Sequence, residues 1–432
     1  MRKRLAALGA IALFAFALSC GPAAESPPNV VVVVIDTLRP DHLQFYGYEK
    51  DTAPFLGSLA DAGVVFENTR STSSWTAPGT ASIVTSLHPV QHGVHKGLLA
   101  VRMMQQVDRT IRVNRIPDDA VTVAEVLREA GYSTWGVSDN LNIGYEEGFD
   151  QGFDSFRTSN DAGAATVNAT VRRWSEDMLE GEPYFLYIHY MDPHRPYQHR
   201  APWYEPREGE LLDSISAYDS EISYVDAKVR ELYELFGWGE DTIVIVTSDH
   251  GEEFQEHGGW DHGRTLYDEV LRVPLFVHAP AESLAPGRVR APTSVMDILP
   301  TIRELLDLPA SPVDQGVSLV PALRGEGEPT SDRAFFTDLR SPPWFGSLKL
   351  KSVVRGEDKW ILTHPDGEEL YDLAIDPGER ESVLEGRRAT AEELRAELVA
   401  FEAECEKFVG ESAEVTLDEE DMEKLEALGY VN

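Results

Sequence analysis

The chain has 432 residues, of which 42% are hydrophobic, so it is long enough for one large α/β domain and a smaller second domain. It carries 38 lysines and arginines against 74 aspartates and glutamates, which gives a formal charge of −36. Because phosphate backbones attract basic surfaces, this charge excludes nucleic acid as an expected partner, and it is typical of a highly soluble surface.

The amino terminus predicts an export signal. A basic start is followed by an apolar stretch, residues 5–18, that is too short for a confident membrane span. Small residues then precede Cys20, as in bacterial lipoproteins, whose cysteine becomes the lipidated first residue. We expect a lipoprotein-type signal peptide at residues 1–19 and a tether at residues 20–29, with plain signal-peptidase cleavage as the alternative. The protein would be exported and anchored on the periplasmic or extracellular face of a membrane, and Cys405 would have no disulfide partner.

The mature chain opens with a β-branched run, residues 30–35, that leads into Asp36. Such a run predicts a strand that is buried on both faces of a sheet. Further on, the turn at residues 74–82 contains Thr76. We expect a helix over residues 79–87 after this turn, with its amino-terminal N–H groups directed back at Thr76.

Strands and helices alternate over residues 30–325, which indicates a layered α/β catalytic domain. A second apolar run, residues 242–247, leads into Asp249 and His250. Sheets of this kind place ligands beyond the carboxyl ends of their strands, so we expect Asp36 and Asp249 to share one site. The other predicted elements are helices over 53–62, 121–130, 167–179 and 214–236, and strands over 64–68, 132–138, 184–190 and 274–278.

The alternation stops near residue 325, and short strands with turn-rich connections replace it. We predict a C-terminal subdomain over residues 326–432, with a small antiparallel sheet and helices. Its predicted strands are 333–337, 349–355, 359–363 and 370–373, and its predicted helices are 389–408 and 418–428.

Asp36, Asp249 and His250 predict a metal site, because two carboxylates and one imidazole suit a divalent cation. These ligand types are compatible with calcium, manganese, magnesium and zinc, so they do not identify the metal. A lone aspartate after a strand is more often a helix cap, but capping does not account for the adjacent His250 and Gly251. The Thr76 hydroxyl likewise has two interpretations, as a helix cap or as a nucleophile.

Several motifs follow one another along the chain. They lie at Val31 to Asp41, Thr76-Ala77-Pro78-Gly79-Thr80, Asp192 to Tyr197, Thr247 to Glu252, Gly263 to Leu275, Glu369 to Leu373 and Asp376 to Glu379. In this order they resemble the sulfatase family of the alkaline phosphatase superfamily. The resemblance implies an alkaline-phosphatase-like fold, in which helices flank a large mixed sheet and a smaller antiparallel sheet with a helix follows.

The resemblance also implies a nucleophile at Thr76. Sulfatases carry Cys-x-Pro-Ser-Arg, or its Ser version, and the first residue is oxidised to formylglycine. Here Pro78 matches, but Gly79 and Thr80 replace Ser and Arg, and no formylglycine is expected because the known route does not act on threonine. A threonine hydroxyl, familiar elsewhere in the superfamily, needs a metal to lower its pKa. The implied cation is calcium, manganese or zinc, and its implied ligands are Asp36, Thr76, Asp249 and His250.

Two histidines complete the implied catalytic set. His194 matches the family histidine that contacts the transferred group or the leaving oxygen, and His262 lies one position from a usual lysine. Both would bind the anion or protonate the leaving group. In two-metal relatives a second cation is held by such residues, and here Asp192, His194 and His262 would hold it. His189 is interpreted as a core or edge histidine, and Glu252 as a support for the metal-binding turn.

We therefore expect an exported metal-dependent hydrolase that cleaves a sulfuric or phosphoric ester through a covalent intermediate on Thr76. Its substrate would be a small molecule, or an ester on a glycan or lipid head group. Two alternatives stay open: a transferase of the phosphoglycerol or phosphoethanolamine type, kept at a membrane by a lipid on Cys20, and a catalytically silent anion-binding lipoprotein. The retained Asp36, Asp249 and His250 argue against silence.

Overall fold

The computed structural model describes residues 26–98, 113–180, 183–239, 241–280, 284–340, 348–365, 367–405 and 414–415. The predicted signal peptide with Cys20 and the helix predicted at residues 418–428 lie outside these ranges. In the described part of the chain, no helix combines the length and the apolar character needed to cross a membrane.

The strands, in chain order, are β1 (Asn29–Ile35), β2 (Val64–Arg70), β3 (Val113–Asn114), β4 (Ser133–Ser138), β5 (Ser155–Thr158), β6 (Tyr184–Tyr190), β7 (Thr242–Thr247), β8 (Glu253–Phe254), β9 (Trp260–Asp261), β10 (Arg272–His278), β11 (Gly287–Val289), β12 (Thr293–Ser294), β13 (Ala334–Arg340), β14 (Lys349–Arg355), β15 (Asp358–His364), β16 (Gly367–Asp372) and β17 (Glu414–Val415). The α-helices are α1 (Pro54–Ala62), α2 (Thr76–Thr85), α3 (Pro89–His92), α4 (Val123–Glu129), α5 (Ala164–Leu179), α6 (Glu210–Phe236), α7 (Asp268–Leu271), α8 (Ile298–Leu305), α9 (Val320–Leu323) and α10 (Arg388–Cys405).

A nine-stranded mixed sheet forms the centre of the fold. Its order is β11-β2-β10-β7-β1-β6-β4-β5, and β12 also pairs with β2. The five strands from β7 to β5 are mutually parallel, whereas β10 runs antiparallel to both β7 and β2. All the parallel strands therefore end at one edge of the sheet.

Strand β1 lies in the middle of this sheet and is buried on both faces, as its sequence predicts. Val30, Val32 and Val34 pack into one hydrophobic core, and Val31, Val33 and Ile35 pack into the other. Helices α2, α4 and α8 contribute to the first core, and α1, α5 and α6 to the second. This two-sided burial is the reason that the strand carries β-branched residues without alternation.

The smaller sheet is antiparallel, with the order β13-β14-β15-β16. Helix α10 covers one face of it, where Leu394 and Leu398 pack with Val353, Trp360 and Leu370. The expected fold class, a large mixed sheet flanked by helices with a small antiparallel sheet behind it, is confirmed.

Helix α2, strand β5 and helix α8 are among the elements that differ from the sequence-based expectation. Helix α2 begins at Thr76 rather than at residue 79. Strand β5 was not predicted, because its four residues include a single buried side chain, that of Phe156. Helix α8 was not predicted either; it contains Pro300, which is tolerated in a first helical turn although it weakens the helical signal.

The large and small sheets are joined by a buried charged network. The Lys359 ammonium on β15 lies 2.8 Å from Asp268 Oδ1 and 2.8 Å from Glu379 Oε1. Arg70 on β2 lies 2.8 Å from the other oxygen of Asp268. The Lys359 side chain is 0% exposed, so its charge is compensated by these carboxylates alone and not by water.

We predict that Lys359→Met destabilises the protein by about 3–5 kcal/mol, because it leaves buried carboxylates without their cation. Urea unfolding followed by circular dichroism measures the change. Arg230→Met is the matched control, since the Arg230–Glu234 pair is exposed and should contribute at most about 0.5 kcal/mol. Equal effects of the two substitutions would contradict the prediction.

A contact between the start of α3 and the small sheet depends on a neutral histidine, His88. His88 Nε2 donates to the Phe336 carbonyl of β13 at 2.9 Å, and Nδ1 accepts from Val90 N at 3.4 Å. Burial lowers the pKa of His88 to about 4, and burial lowers the pKa of the nearby His92 to about 3. Both side chains are therefore held uncharged in the folded protein.

This arrangement predicts a loss of stability in mild acid. The unfolded pKa of histidine is near 6.5, so between pH of about 6.5 and 4 the unfolded chain binds more protons than the folded one. The stability difference between wild type and His88→Gln should therefore shrink as the pH falls from 7.5 to 5. Melting temperatures across this range measure it, with the exposed His199→Gln as control; a difference that does not change with pH would refute the assignment.

Candidate functional site

The candidate site lies where β1, β4, β6 and β7 end together. Asp36 follows β1 directly, and its backbone N–H still donates to Tyr190 O at the end of β6. Asp249 follows β7 by two residues. Because β1 pairs in parallel with both β6 and β7, the residues beyond these strands are brought to one point at the sheet edge.

Asp36, Asp249 and His250 form a compact cluster there. One ligand atom from each lies within 4.8 Å of the others, and all three residues are buried. His250 Nε2 is 3.4 Å from Asp36 Oδ1 and 3.6 Å from Asp249 Oδ2. The structure thus brings together the three residues that the sequence predicts as metal ligands.

The chemistry of this cluster fits a divalent cation. Asp36 Oδ1 and Asp249 Oδ2 are buried without a hydrogen-bond partner. His250 Nδ1 donates to Gly251 O at 2.8 Å, which leaves the Nε2 lone pair directed at the carboxylates. Burial and the neighbouring Asp249 charge raise the pKa of Asp36, since two like charges out of water are unfavourable until a cation joins them.

The backbone beyond β1 is held in a specific shape. Thr37 has a φ of 57°, in the left-handed region that a β-branched residue seldom adopts. The Tyr218 hydroxyl donates to Thr37 O at 2.7 Å and accepts from Arg39 N at 2.9 Å. Leu38 N donates to Ser248 Oγ at 3.0 Å, which ties this turn to the end of β7.

Thr76 lies beside the cluster as the first residue of α2. Its Oγ1 is 3.3 Å from His250 Nε2, and its side chain is buried. The helix N-cap is Trp75, and no side chain caps this terminus. The hydroxyl therefore faces the predicted metal ligands instead of capping the helix.

Helix α2 packs very closely on the turn that carries Asp249. A Cβ atom built on Gly79 would lie 2.5 Å from Asp249 O, a separation that side chains do not show. Glycine at this position is therefore required by the close approach of the two backbones.

Two site residues were not predicted from the sequence. His189, the penultimate residue of β6, is fully buried with Nε2 3.6 Å from Asp36 Oδ2 and 3.8 Å from Asp249 Oδ2. Burial lowers the pKa of His189, but the two carboxylates outweigh this effect and raise it overall. The available sequence signal was a lone histidine within an apolar strand, and the pairing of that strand with β1 was needed to interpret it.

Asn140 is the second residue that sequence reasoning missed. Its Nδ2 donates to Asp36 Oδ2 at 3.1 Å and lies 3.5 Å from Thr76 Oγ1. Its Oδ1 accepts from Asn142 N at 2.9 Å, which fixes the amide with its N–H groups towards the site. It follows β4, so the position after a parallel strand was the available signal.

His194 and His262 lie together next to the cluster. The His262 ring centroid is 4.2 Å from that of His250 and 4.9 Å from that of His194. Burial lowers the pKa of His262 to about 3 and raises that of Glu252 to about 7. The imidazole of His262 is therefore neutral in the metal-free protein.

Asp192, predicted with these histidines as a second cation site, is engaged elsewhere. Its Oδ1 accepts from Arg200 Nη2 at 2.5 Å, and its Oδ2 accepts from Ala164 N at the start of α5 at 2.9 Å. Among the described residues, the cluster of Asp36, Asp249 and His250 is the single group with metal-ligand spacing. The second cation site stays a prediction.

The chain matches two family models. The model described as Sulfatase covers residues 28–308, and the model described as N-sulphoglucosamine sulphohydrolase, C-terminal, covers residues 255–404. The chain is also 27% identical to Arylsulfatase A of Homo sapiens over 470 aligned positions, which cover 90% of each protein.

Solved structures show the same architecture. A 2-O GAG sulfatase superposes with a TM-score of 0.73 at 19% identity, covering 88% of this chain and 93% of that one. The phosphonate monoester hydrolase of Agrobacterium radiobacter gives a TM-score of 0.71 at 20% identity, covering 88% and 96%. At these identities the likeness establishes the fold alone.

The cluster predicts metal-dependent stabilisation that requires Asp249. Excess Mn²⁺ or Zn²⁺ added to chelator-treated protein should raise its melting temperature, since a cation at 100 times its Kd stabilises by about 2.7 kcal/mol. Asp249→Asn should abolish most of this increase. The exposed Asp61→Asn is the control, and an undiminished increase in the Asp249 variant would refute the assigned ligand set.

Proposed function

The chain belongs to the sulfatase family, whose members hydrolyse esters, and on this basis we propose that it is a metal-dependent hydrolase with Thr76 as its nucleophile. The observation that carries the proposal is the position of Thr76 Oγ1, 3.3 Å from His250 Nε2 at the buried Asp36–Asp249 pair. Asp36 Oδ1 and Asp249 Oδ2 are buried and have no hydrogen-bond partner, so they are free to bind a cation. A hydroxyl is a weak nucleophile, and it needs such an activating group beside it.

Asp36, Asp249, His250 and Thr76 would hold the cation. When bound, a divalent cation lowers the pKa of a hydroxyl and offsets the negative charge of the reacting ester. The protein itself orients Thr76, because α2 fixes its backbone and the metal-binding turn packs against Gly79.

Other side chains supply hydrogen-bond donors to the reacting group. The Asn140 amide nitrogen donates to Asp36 Oδ2 and lies 3.5 Å from Thr76 Oγ1. The amino-terminal N–H groups of α2 face the same region, where they favour an anion. The His262 ring lies against that of His250, and the His194 ring lies against that of His262, so both are candidates to serve the leaving oxygen.

We propose a sulfuric or phosphoric ester as the substrate. Thr76 has a free hydroxyl in place of a formylglycine precursor, which favours phosphorus chemistry, whereas the family favours sulfate. One structural neighbour acts on phosphonate monoesters and another is a 2-O GAG sulfatase, so both kinds of ester are compatible with this fold. We therefore propose that the substrate is an ester of a small molecule, of a glycan or of a lipid head group.

Export and membrane attachment through Cys20 are part of the same proposal. They rest on the sequence of residues 1–29, where a basic start, an apolar stretch and small residues precede the cysteine. An enzyme placed outside the cytoplasm would meet glycan and lipid esters there.

Thr76→Ala should lower kcat/KM by at least about 10³-fold on every ester that the wild type hydrolyses, because the covalent path is lost. Thr76→Ser should keep part of the activity. The assay uses aryl phosphates, bis-aryl phosphates and aryl sulfates with several divalent metals. Thr85→Ala, at the other end of α2, is the control, and turnover that survives in Thr76→Ala would exclude this nucleophile.

A further inference from the structure

His189 is a buried imidazole to which the hydrolysis proposed above gives no role. It is the penultimate residue of β6, and its side chain is 0% exposed. Its backbone is fixed, because Asp139 N donates to His189 O at 3.2 Å and β6 pairs with β1 on one side and with β4 on the other. A polar ring in such a position needs a specific partner.

The ring of His189 projects from the face of the sheet that carries α2. Phe185 and Tyr187, which precede it in β6 at two-residue spacing, pack into the same hydrophobic core as Ala77 and Ala81 of α2. Side chains two residues apart in a strand lie on one face of the sheet, so His189 lies on that face too. This is the face on which α2 brings Thr76 to the sheet edge.

Four distances connect His189 with the predicted metal ligands in a closed ring. His189 Nε2 lies 3.6 Å from Asp36 Oδ2 and 3.8 Å from Asp249 Oδ2. His250 Nε2 lies 3.4 Å from Asp36 Oδ1 and 3.6 Å from Asp249 Oδ2. Imidazoles and carboxylates therefore alternate, and each carboxylate lies close to both imidazoles.

These separations suit atoms that share a cation better than hydrogen-bonded pairs. A hydrogen bond between nitrogen and oxygen spans about 2.7–3.2 Å. In a tetrahedral zinc site with bonds of about 2.0–2.1 Å, neighbouring ligand atoms lie about 3.3–3.4 Å apart. Asn140 shows a supporting hydrogen bond for comparison, since its Nδ2 donates to Asp36 Oδ2 at 3.1 Å. Both ring nitrogens of His189, by contrast, have no hydrogen-bond partner among the residues that the structure describes.

We propose that His189 is a direct ligand of the cation, and that the site therefore selects Zn²⁺ or a similar transition-metal ion over Ca²⁺ and Mg²⁺. The inference deepens the proposed function and rests on its metal site. With His189, the ligands are two imidazole nitrogens, two carboxylates and the Thr76 hydroxyl. Ca²⁺ and Mg²⁺ bind oxygen ligands, whereas imidazole suits zinc and the neighbouring transition metals.

A protonated His189 in the metal-free protein is compatible with this role. Burial alone would lower the pKa of His189, but Asp36 and Asp249 attract positive charge and raise it overall. A proton and a metal ion compete for the same position, and a ligand imidazole releases its proton when the cation binds.

X-ray absorption at the zinc edge tests the ligand role directly, because the imidazole rings bound to zinc can be counted from their scattering. Wild-type protein loaded with one equivalent of Zn²⁺ should show two imidazoles, a result that needs no variant to fold. His189→Gln and His250→Gln should each show one. His194→Gln should still show two, since His194 belongs to the predicted second cation site. One imidazole in the wild type, or an unchanged count in His189→Gln, would overturn the proposal.

Competition with a chelator measures the metal preference. Wild type should bind Zn²⁺ much more tightly than Ca²⁺. His189→Gln should lower the affinity for Zn²⁺ by more than the about 10–100-fold that the loss of a supporting residue costs, and should leave the affinity for Ca²⁺ nearly unchanged. The control His278→Gln changes a strand histidine at the opposite edge of the sheet, since β10 runs antiparallel to β7. Equal losses of Zn²⁺ and Ca²⁺ affinity in His189→Gln would contradict the proposal.

Ester turnover separates this inference from the proposed function. A wild type that binds zinc through two imidazoles but hydrolyses no ester, or an active Thr76→Ala variant, would refute the proposed function and support the ligand role of His189. An active wild type whose zinc has one imidazole, or that binds Ca²⁺ as tightly as Zn²⁺, would overturn the inference alone.

Discussion

Two carboxylates buried side by side, Asp36 and Asp249, are the constraint on which the rest of the structure depends. Like charges removed from water destabilise a fold unless other groups compensate them. Here His250 and His189 lie within 4 Å of both, and the partner-free oxygens are directed where a cation fits. The two hydrophobic cores on either side of β1 supply the stability that this unfavourable arrangement requires.

Much of the fold could be predicted from the sequence, because burial leaves a pattern in it. The uninterrupted β-branched residues of β1 and β7 identify strands covered on both faces, and the β6 bounds were predicted in full. The strand β5, with one buried residue, leaves no such pattern. The sheet order could not be predicted, because pairing between distant strands depends on packing that no local sequence records.

Asp36 and Asp249 were predictable because each lies just beyond a buried strand, and Thr76 because its turn resembles a family motif. His189 was interpreted as a core histidine because it lies within a strand, and its role appears only once β6 is known to pair with β1. The start of α2 was placed three residues late, because Pro78 and Gly79 are poor helix formers; their positions follow from packing against the metal-binding turn.

The contact between Gly79 and Asp249 O also bears on how such a site could evolve. The aldehyde-forming motif of the family has a serine where Gly79 stands, and a Cβ there would be 2.5 Å from a backbone oxygen. Exchanging Thr76 for cysteine would therefore not rebuild the motif, since the helix would first have to move away from the strand end. Rebuilding the aldehyde-forming motif in this chain would thus require a shift of the α2 backbone in addition to the exchange of side chains.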